Sequence, residues 1–324
     1  MQAVVAQRPG TFAEVLALQH VPEPDALADG EVVVRMNVST VNHSDAVTVS
    51  GTYGSRTVFP FVPGFEGVGV IERIGPGVPR SALGMRVLPI GSAGTWQELM
   101  RTEHSWCIPV PEDIADTLAC FAYINPLTAL LLVERSGTAP GSAVAITAAT
   151  SAIAGHLAEL LALAGIRPIG LVRGSPGSLV AAPGLWSTVI DTSAPGWERR
   201  LREAAPGGLA AVLDCVGGRL GGRLWEELRP GGMLLHYGLL SGRPLPAECF
   251  SGRGGRRTQL VRLRDQVHAL PRAELPGLFV PVFAHLREGR LRTRIGREVP
   301  LAQLPQALAE PLPARGKILI RYPR

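Results

Sequence analysis

The stretch AVAITAATSAIAGHLAELLALAGIRPIGLV (143–172) decides the fold. AVAIT (143–147) is a short apolar run of strand length. SAIAGHLAELLALAG (151–165) carries apolar residues at helical spacing and stops at Gly165, a residue suited to a helix C-cap. PIGLV (168–172) is a second apolar run of strand length. Strand, helix and strand joined by short links make a βαβ unit with two parallel strands. The alternation continues downstream. STVID (187–191) reads as a strand and WERRLREAA (197–205) as a helix. LAAVLDCVGG (209–218) is a strand entering a glycine turn, RLGGRLWEELRPGG (219–232) a helix, and MLLHYGLLSG (233–242) a strand.

Upstream the texture differs. EVVVRMNVSTV (31–41), GVGVIERIGPGV (67–78), RVLPIG (86–91) and WQELMRTE (96–103) read as short strands separated by Pro-Gly turns. Near residue 113 helical spacing begins, with Ile114, Leu118, Phe121 and Ala122 on one face and a second helix from Leu127 to Arg135. The tail GKILIRYP (316–323) returns to a strand. The chain thus reads as β-rich, then doubly wound α/β, then a β return that rejoins the first domain. A length of 324 residues agrees with two domains at about 150 residues each.

Composition excludes several classes. At 46% apolar and 18% charged, the chain fills ordinary cores and is neither collagen, coiled coil nor bulk disorder. The 38 glycines and 28 prolines are spread along the chain, as many tight turns require. Lys317 is the only lysine, so the formal charge of +5 is almost entirely arginine, and an excess this mild argues against a nucleic-acid partner. Cys107, Cys120, Cys215 and Cys249 are far apart and form neither a disulfide framework nor a structural zinc motif. The opening MQAVVAQRPG lacks a signal-peptide core, and the most apolar stretch (143–172) is broken by His156, Glu159, Arg167 and two glycines. A soluble cytoplasmic protein with no membrane partner is the expectation.

Two features point to chemistry. In a dinucleotide-binding βαβ unit, the turn after the first strand brings backbone against a pyrophosphate, and the helix N-terminus supplies N–H groups and a positive dipole end. Here the crowded positions hold Ala149, Ser151, Ala152 and Ala154, all small, although the G-x-G-x-x-G fingerprint is absent. An ordinary buried turn would show the same residues. The next strand ends at Arg173, about twenty residues on, where an acid would serve NAD and an arginine the 2′-phosphate of NADP. NADPH is therefore favoured over NADH, with a solvated surface arginine as the alternative.

The segments VNHSDAVTVSGTYG (41–54), FVPGFEGVGVIERIGPGV (61–78), YINPLTALLL (123–132), ATSAIAG (149–155), DCVGG (214–218) and GGMLLHYG (231–238) resemble those of the medium-chain dehydrogenase/reductases. The likeness is to their zinc-free branch, the quinone oxidoreductases and 2-enoyl thioester reductases. The resemblance implies an α/β fold: a GroES-like β-rich catalytic domain (1–118, completed by 285–324) and a doubly wound parallel-sheet Rossmann domain (119–284). It also implies a homodimer. Asn42 and Phe65 stand where zinc-dependent relatives carry a cysteine and a histidine ligand, and a carboxamide and a phenyl ring cannot replace them. No metal is expected; His43, Asp45 and Glu66 read as a hydrogen-bonded polar cluster.

By resemblance, Tyr53 in GTYG lies where enoyl thioester reductases carry a catalytic tyrosine, a phenol that assists enolate stabilisation or protonation at Cα after hydride reaches Cβ. A turn tyrosine facing solvent is the alternative. Asn125 (catalytic) and Thr128 match the segment lining the nicotinamide side. The cofactor-binding set implied is Asn42, Thr128, Thr150, Ser151, Ala152, Ile153, Arg173, Val216, Tyr237 and Gly238, with Gly217 beside Val216. No role is assigned to His156 or His236.

One segment departs from the pattern. Where enoyl thioester reductases carry a Phe-Trp pair, this chain has Gln259 and Leu260, within GRGGRRTQLVRLRDQ (252–266). Its arginines suit the phosphates of coenzyme A or an acidic carrier protein, or else a solvated loop running into a helix. Three functions stay open: a metal-free NADPH-dependent reductase of activated C=C bonds in a small-molecule substrate, CoA- or carrier-linked; an NADPH:quinone oxidoreductase; and a noncatalytic NADPH-binding protein.

Overall fold

The computed structural model describes residues 1–52, 57–174, 180–313 and 315–323, and the chain divides into two compact units. One comprises Met1–Ile124 with Arg264–Arg324, the other Asn125–Leu263. The boundaries read from the sequence stood at 118/119 and 284/285.

The first unit opens with β1 (Gln2–Ala6), α1 (Phe12–Val15) and β2 (Leu16–His20), β1 and β2 forming an antiparallel pair. There follow β3 (Glu31–Thr40), α2 (His43–Val49), β4 (Gly67–Ile74), β5 (Arg86–Pro89), β6 (Leu99–Glu103), β7 (Cys107–Pro109) and α3 (Asp116–Ala119). The next helix, α4 (Ile124–Ser136), starts three residues before the Leu127 expected from periodicity. Asn125 and Pro126 occupy its first turn, where a missing proline N–H costs nothing.

The second unit continues with β8 (Val144–Ile146), α5 (Ala152–Leu163), β9 (Ile169–Val172), β10 (Thr188–Asp191), α6 (Trp197–Ala204), β11 (Leu209–Asp214), α7 (Gly218–Glu226), β12 (Leu228–His236) and β13 (Arg257–Leu260). Its sheet is wholly parallel, with order β10-β9-β8-β11-β12-β13. That is the doubly wound order 3-2-1-4-5-6, whose direction reverses between β8 and β11. Two elements differ from the sequence reading. The helix after DCVGG ends at Glu226 rather than running to Gly232, because Leu228 is buried and already pairs with Leu209. Arg257–Leu260 is an edge strand paired with Met233–His236 rather than part of a loop, so Gln259 and Leu260 lie within the sixth strand.

The chain then returns to the first unit through α8 (Leu263–Ala269), α9 (Leu275–Arg287), β14 (Ile295–Pro300), α10 (Leu304–Ala309) and β15 (Lys317–Arg321). The tail does rejoin the β-rich unit. β15 pairs antiparallel with β3 over Val38–Thr40, while β6 takes the same strand over Glu31–Arg35. One long strand thereby has its β4-opposed side shared by two partners, giving a seven-stranded path β14-β15-β3-β4-β5-β7 with β6 beside β3.

Each unit has its own core. Val32, Val34, Met36, Ile71, Trp96, Met100, Ile318 and Ile320 pack in the first, and Ala145, Ile169, Leu171, Val212, Leu224, Trp225 and Leu234 in the second. Fully burying each larger side chain contributes about 1.5–3 kcal/mol. Trp96 also fixes the neighbourhood of the PGFEG segment. Its indole donates to Thr40 O at 3.1 Å, and Gly64 (φ +93) packs so closely that a Cβ would lie 2.3 Å from Thr95 Oγ1. Glycine is required there, and it delivers Glu66 to the interior.

Candidate active site

In an open α/β sheet, ligands bind at the carboxyl ends of the strands where the order reverses, here the ends of β8 and β11. The turn Thr147–Ser151 leaves β8. Ala148 adopts φ +50, a left-handed conformation that L side chains enter at a cost of about 1–2 kcal/mol, in the turn where a dinucleotide fingerprint would have its first glycines. Ser151 is the N-cap of α5, its Oγ accepting the Ala154 N–H at 3.3 Å. The N–H groups of Ala152 and Ile153, in the first turn of this twelve-residue helix, have no acceptor within it, which leaves them for an anion. Thr150 is exposed beside them. Arg173 is exposed just beyond β9.

Sequence reasoning missed an acid here. Asp191 ends β10, and its Oδ1 accepts the Gly174 N–H at 2.8 Å as well as the N–H and hydroxyl of Ser193. These donors pull its carboxyl below the usual aspartate value and occupy the oxygen. The acid therefore shapes the backbone beside Arg173. Its signal was the STVID strand ending on a charge.

Across the reversal point, Asp214 ends β11 with no exposed surface. Its Oδ1 accepts Thr147 Oγ1 at 2.9 Å and Val216 N–H at 3.0 Å, and its Oδ2 accepts Gly217 N–H at 2.9 Å and His236 Nδ1 at 2.8 Å. Thr147 Oγ1 in turn accepts the Cys215 N–H at 2.9 Å. The DCVGG turn that holds Val216 and Gly217 is thus tied to the ends of β8 and β12. Tyr237 follows β12 with its hydroxyl buried near the Cys215 thiol, and burial first of all pushes that phenol well up. Gly238 packs so tightly that a Cβ would lie 2.9 Å from Cys215 Cβ. Val216, Gly217, Tyr237, Gly238 and the β8–α5 turn therefore gather at one end of one sheet. In α4, Asn125 is partly exposed and Thr128 buried.

The first unit holds a second polar cluster. Asn42, 5% exposed, donates from Nδ2 to Glu66 Oε2 at 2.9 Å and accepts at Oδ1 from the Lys317 ammonium. Glu66 Oε1 accepts the backbone N–H groups of Tyr123 and Ile124, each at 2.9 Å. Asp45 Oδ2 accepts the Asn42 N–H at 2.6 Å, while its Oδ1 has no partner among the described residues. Burial pushes Asp45 up to about 7 and raises Glu66, and it lowers Lys317. Asp45 and Glu66 do share one hydrogen-bonded network, whereas the His43 side chain, on an exposed residue, takes no part in it. The Asn42 amide, expected to meet the cofactor, has its oxygen and one N–H hydrogen engaged inside the fold. Phe65 is partly buried, and among the described residues no group of three or more His, Cys, Asp or Glu is placed to hold a metal. Tyr53, the expected catalytic phenol, lies outside the described residues.

Comparisons with known proteins agree with this architecture. A family model described as the alcohol dehydrogenase GroES-like domain matches residues 28–112, and one described as zinc-binding dehydrogenase matches 186–320. A mitochondrial enoyl-[acyl-carrier-protein] reductase of Arabidopsis thaliana is 30% identical over 257 residues, covering 77% of this chain and 68% of that protein. Among solved structures, a Bacillus thuringiensis protein assigned as an NADPH:quinone reductase superposes with a TM-score of 0.89 at 30% identity, covering 99% of this chain and 98% of that one. The quinone oxidoreductase of Thermus thermophilus, solved also with NADPH, superposes at 0.78 with 26% identity, covering 99% of this chain and all of that one. A β-rich unit matched by the GroES-like model, a doubly wound parallel sheet and these relatives together mean that the chain is an oxidoreductase of the medium-chain dehydrogenase/reductase family, in the branch of quinone oxidoreductases and 2-enoyl thioester reductases.

Proposed function

We propose that this enzyme is an NADPH-dependent, metal-independent reductase of activated C=C bonds, of the 2-enoyl thioester type. The observation that carries the reading is the carboxyl end of the parallel sheet. There the free N–H groups of α5, the small residues Ser151 and Ala152, and the Val216–Gly217 turn surround the order reversal, with Arg173 exposed at the neighbouring strand end. An anionic dinucleotide carrying a 2′-phosphate has the chemistry those groups accept. Bound NADPH supplies the hydride, which goes to Cβ of the substrate.

The chain's own residues would do the rest. Thr150, Ser151, Ala152 and Ile153 would hold the pyrophosphate, Arg173 the 2′-phosphate, and Val216, Tyr237 and Gly238 the ribose and nicotinamide. Asn42 and Thr128 belong to the same proposed cofactor set, Asn42 through the one amide hydrogen left free by Glu66. Asn125 and Tyr53 would act at the reacting end, the phenol donating a hydrogen bond to the carbonyl oxygen as charge builds there and assisting protonation at Cα.

A second reading, NADPH:quinone oxidoreductase, is favoured by the absence of an aromatic pair at Gln259–Leu260 and by the family members assigned that activity. NADPH oxidation followed with crotonyl thioester, with a simple quinone and with buffer alone separates the readings. Thioester turnover is expected; quinone-only turnover would establish the second reading, and tight NADPH binding without oxidation a noncatalytic one. Tyr53→Phe is expected to lower turnover at least tenfold with NADPH affinity intact, and unchanged turnover would remove Tyr53 from the mechanism. A soluble cytoplasmic protein, expected from the sequence composition, and a homodimer, implied by the resemblance, are part of the proposal, and sedimentation of the purified chain tests its oligomeric state. No described helix is long and apolar enough to cross a membrane.

A further inference from the structure

The polar network around Asp214 ties together two turns that leave different strands. Thr147 immediately precedes the Ala148–Ser151 turn, and Asp214 immediately precedes the Cys215–Gly217 turn. A carboxylate offers about four lone-pair sites, and here four donors fill them: the Thr147 hydroxyl, the Val216 and Gly217 N–H groups, and His236 Nδ1. Gly217 stands at φ +71, ψ −155, a region open essentially to glycine alone, which persists only when its surroundings hold it there. The His236 ring also packs against this residue, its Cε1 lying 3.1 Å from where a Gly217 Cβ would be. Leu240 N–H and Ser241 N–H reach back to Cys215 O and Val216 O at 2.9 and 3.0 Å. The turn is therefore held from three sides; at the end of β12 the Tyr237 N–H holds the Asp214 backbone through its O at 2.9 Å, and the His236 imidazole is the side chain that reaches the carboxylate.

We propose that His236 is a positioning residue for cofactor binding. By donating Nδ1–H to buried Asp214, it keeps the carboxylate turned toward the Val216 and Gly217 amides and toward Thr147, and so holds both nucleotide turns in register. The inference rests on the NADPH reading and deepens it, since His236 acts through Asp214 and need not touch the ligand. A leucine at 236 keeps bulk and removes the donor. An asparagine places a carboxamide N–H near the position of Nδ1 and restores it.

The test uses the full chain. NADPH affinity is measured by fluorescence titration, and amide exchange at Val216 and Gly217 is measured without ligand. His236→Leu is expected to raise the Kd for NADPH at least tenfold and to speed exchange of both amides at least tenfold. His236→Asn is expected to return both readouts to within about threefold of the parent. The proposal is overturned if the parent binds NADPH and His236→Leu binds it within twofold, or if His236→Asn is no better than His236→Leu. Should His236→Leu fail to fold, His236→Gln, whose amide sits one carbon too far out, takes its place with the same expectations. A parent that binds no NADPH refutes the nucleotide reading instead, while unchanged amide exchange in His236→Leu refutes the positioning role on its own.

Discussion

Each unit buries a polar cluster built around a carboxylate, and the two are stabilised in different ways. Around Asp214 every carboxylate lone pair meets a donor, so the balance is made by hydrogen bonds with fixed directions. Around Glu66 and Asp45 the balance is made by charge: one ammonium, Lys317, lies among two carboxyl groups, and Asp45 Oδ1 is left without a partner among the described residues. A saturated network specifies geometry, which is what a turn meant to meet a ligand needs. A charge-balanced network instead leaves protonation states displaced, because desolvation pushes both acids up and the amine down. The side-chain cation inside this cluster is Lys317, which donates to the Asn42 amide oxygen.

The largest expected effect tests that role of Lys317. Lys317→Met removes the ammonium and leaves Glu66 and the Asn42 carbonyl inside without it. The expected loss is about 3 kcal/mol in urea unfolding, the lower end for breaking a buried pair, because the lysine is only partly buried. Adding Glu66→Gln should recover part of that loss, since the uncompensated charge is then gone. A single-variant loss below about 1 kcal/mol would show that the cluster is not balanced by this cation. Elemental analysis of the parent should find no stoichiometric metal.

Next in size is the pH dependence of the first unit. Asp45 holds its proton up to about 7 in the fold against an ordinary value of 3.8. Between those values the folded state keeps a proton that the unfolded chain has released, so stability falls as pH rises through this window and levels off above it. From pH 5 to 7.5 the loss should be about 2–3 kcal/mol. Asp45→Asn keeps an acceptor for the Asn42 N–H and cannot ionise, so its unfolding free energy should lack that component. Glu66 is pushed the same way and adds to the slope in both proteins, which leaves the difference between them to Asp45. Equal slopes would contradict the displaced protonation.

The second cluster should respond more weakly. Thr147→Val removes a donor to Asp214 and the acceptor of the Cys215 N–H, at an expected cost of about 1–2 kcal/mol. Thr147→Ser should restore most of it. A valine variant as stable as the parent would show that the two hydroxyl bonds contribute nothing measurable.

The two clusters were also unequally legible. The strand–helix alternation of 143–242 is written in local periodicity, and so the parallel sheet and the Gly165 cap could be read directly, whereas the tail was readable as a strand and its return to the first unit only as the economical layout. Element ends were less legible where tertiary pairing decided them: Leu228 joins β12 because Leu209 is beside it, and Arg257–Leu260 is a strand only because β12 offers an edge. Asp45 and Glu66 were readable as partners from VNHSD and PGFEG. Lys317 was not, because it meets Asn42 across 275 residues; its one signal was being the sole lysine of an arginine-rich chain. Asp214 and His236 each follow a short apolar run, LAAVL (209–213) and MLL (233–235). That was the available sign that the two strand ends meet, and neighbouring parallel strands are what bring them together.

The smallest effect sharpens how the nucleotide end is held. The DCVGG turn is fixed by Asp214, whereas the β8–α5 turn holds a non-glycine residue, Ala148, at φ +50. Ala148→Gly removes a strain of about 1–2 kcal/mol from the folded state and adds about 0.5–1 kcal/mol of chain entropy to the unfolded one. The two nearly offset, so thermal unfolding should show a gain of about 1 kcal/mol or less. Ala148→Val, with a β-branched side chain poorly suited to positive φ, should lose more than about 1 kcal/mol, a bound on the order of the left-handed penalty itself. Because the turn's shape is set by flanking bonds, Ser151 N–H to Ala148 O and Ala149 N–H to Leu171 O, NADPH affinity in the glycine variant should stay within about twofold of the parent. A large affinity loss in Ala148→Gly with unchanged stability would mean that the methyl group itself shapes the phosphate cradle, and that this turn, like its neighbour, depends on a side chain.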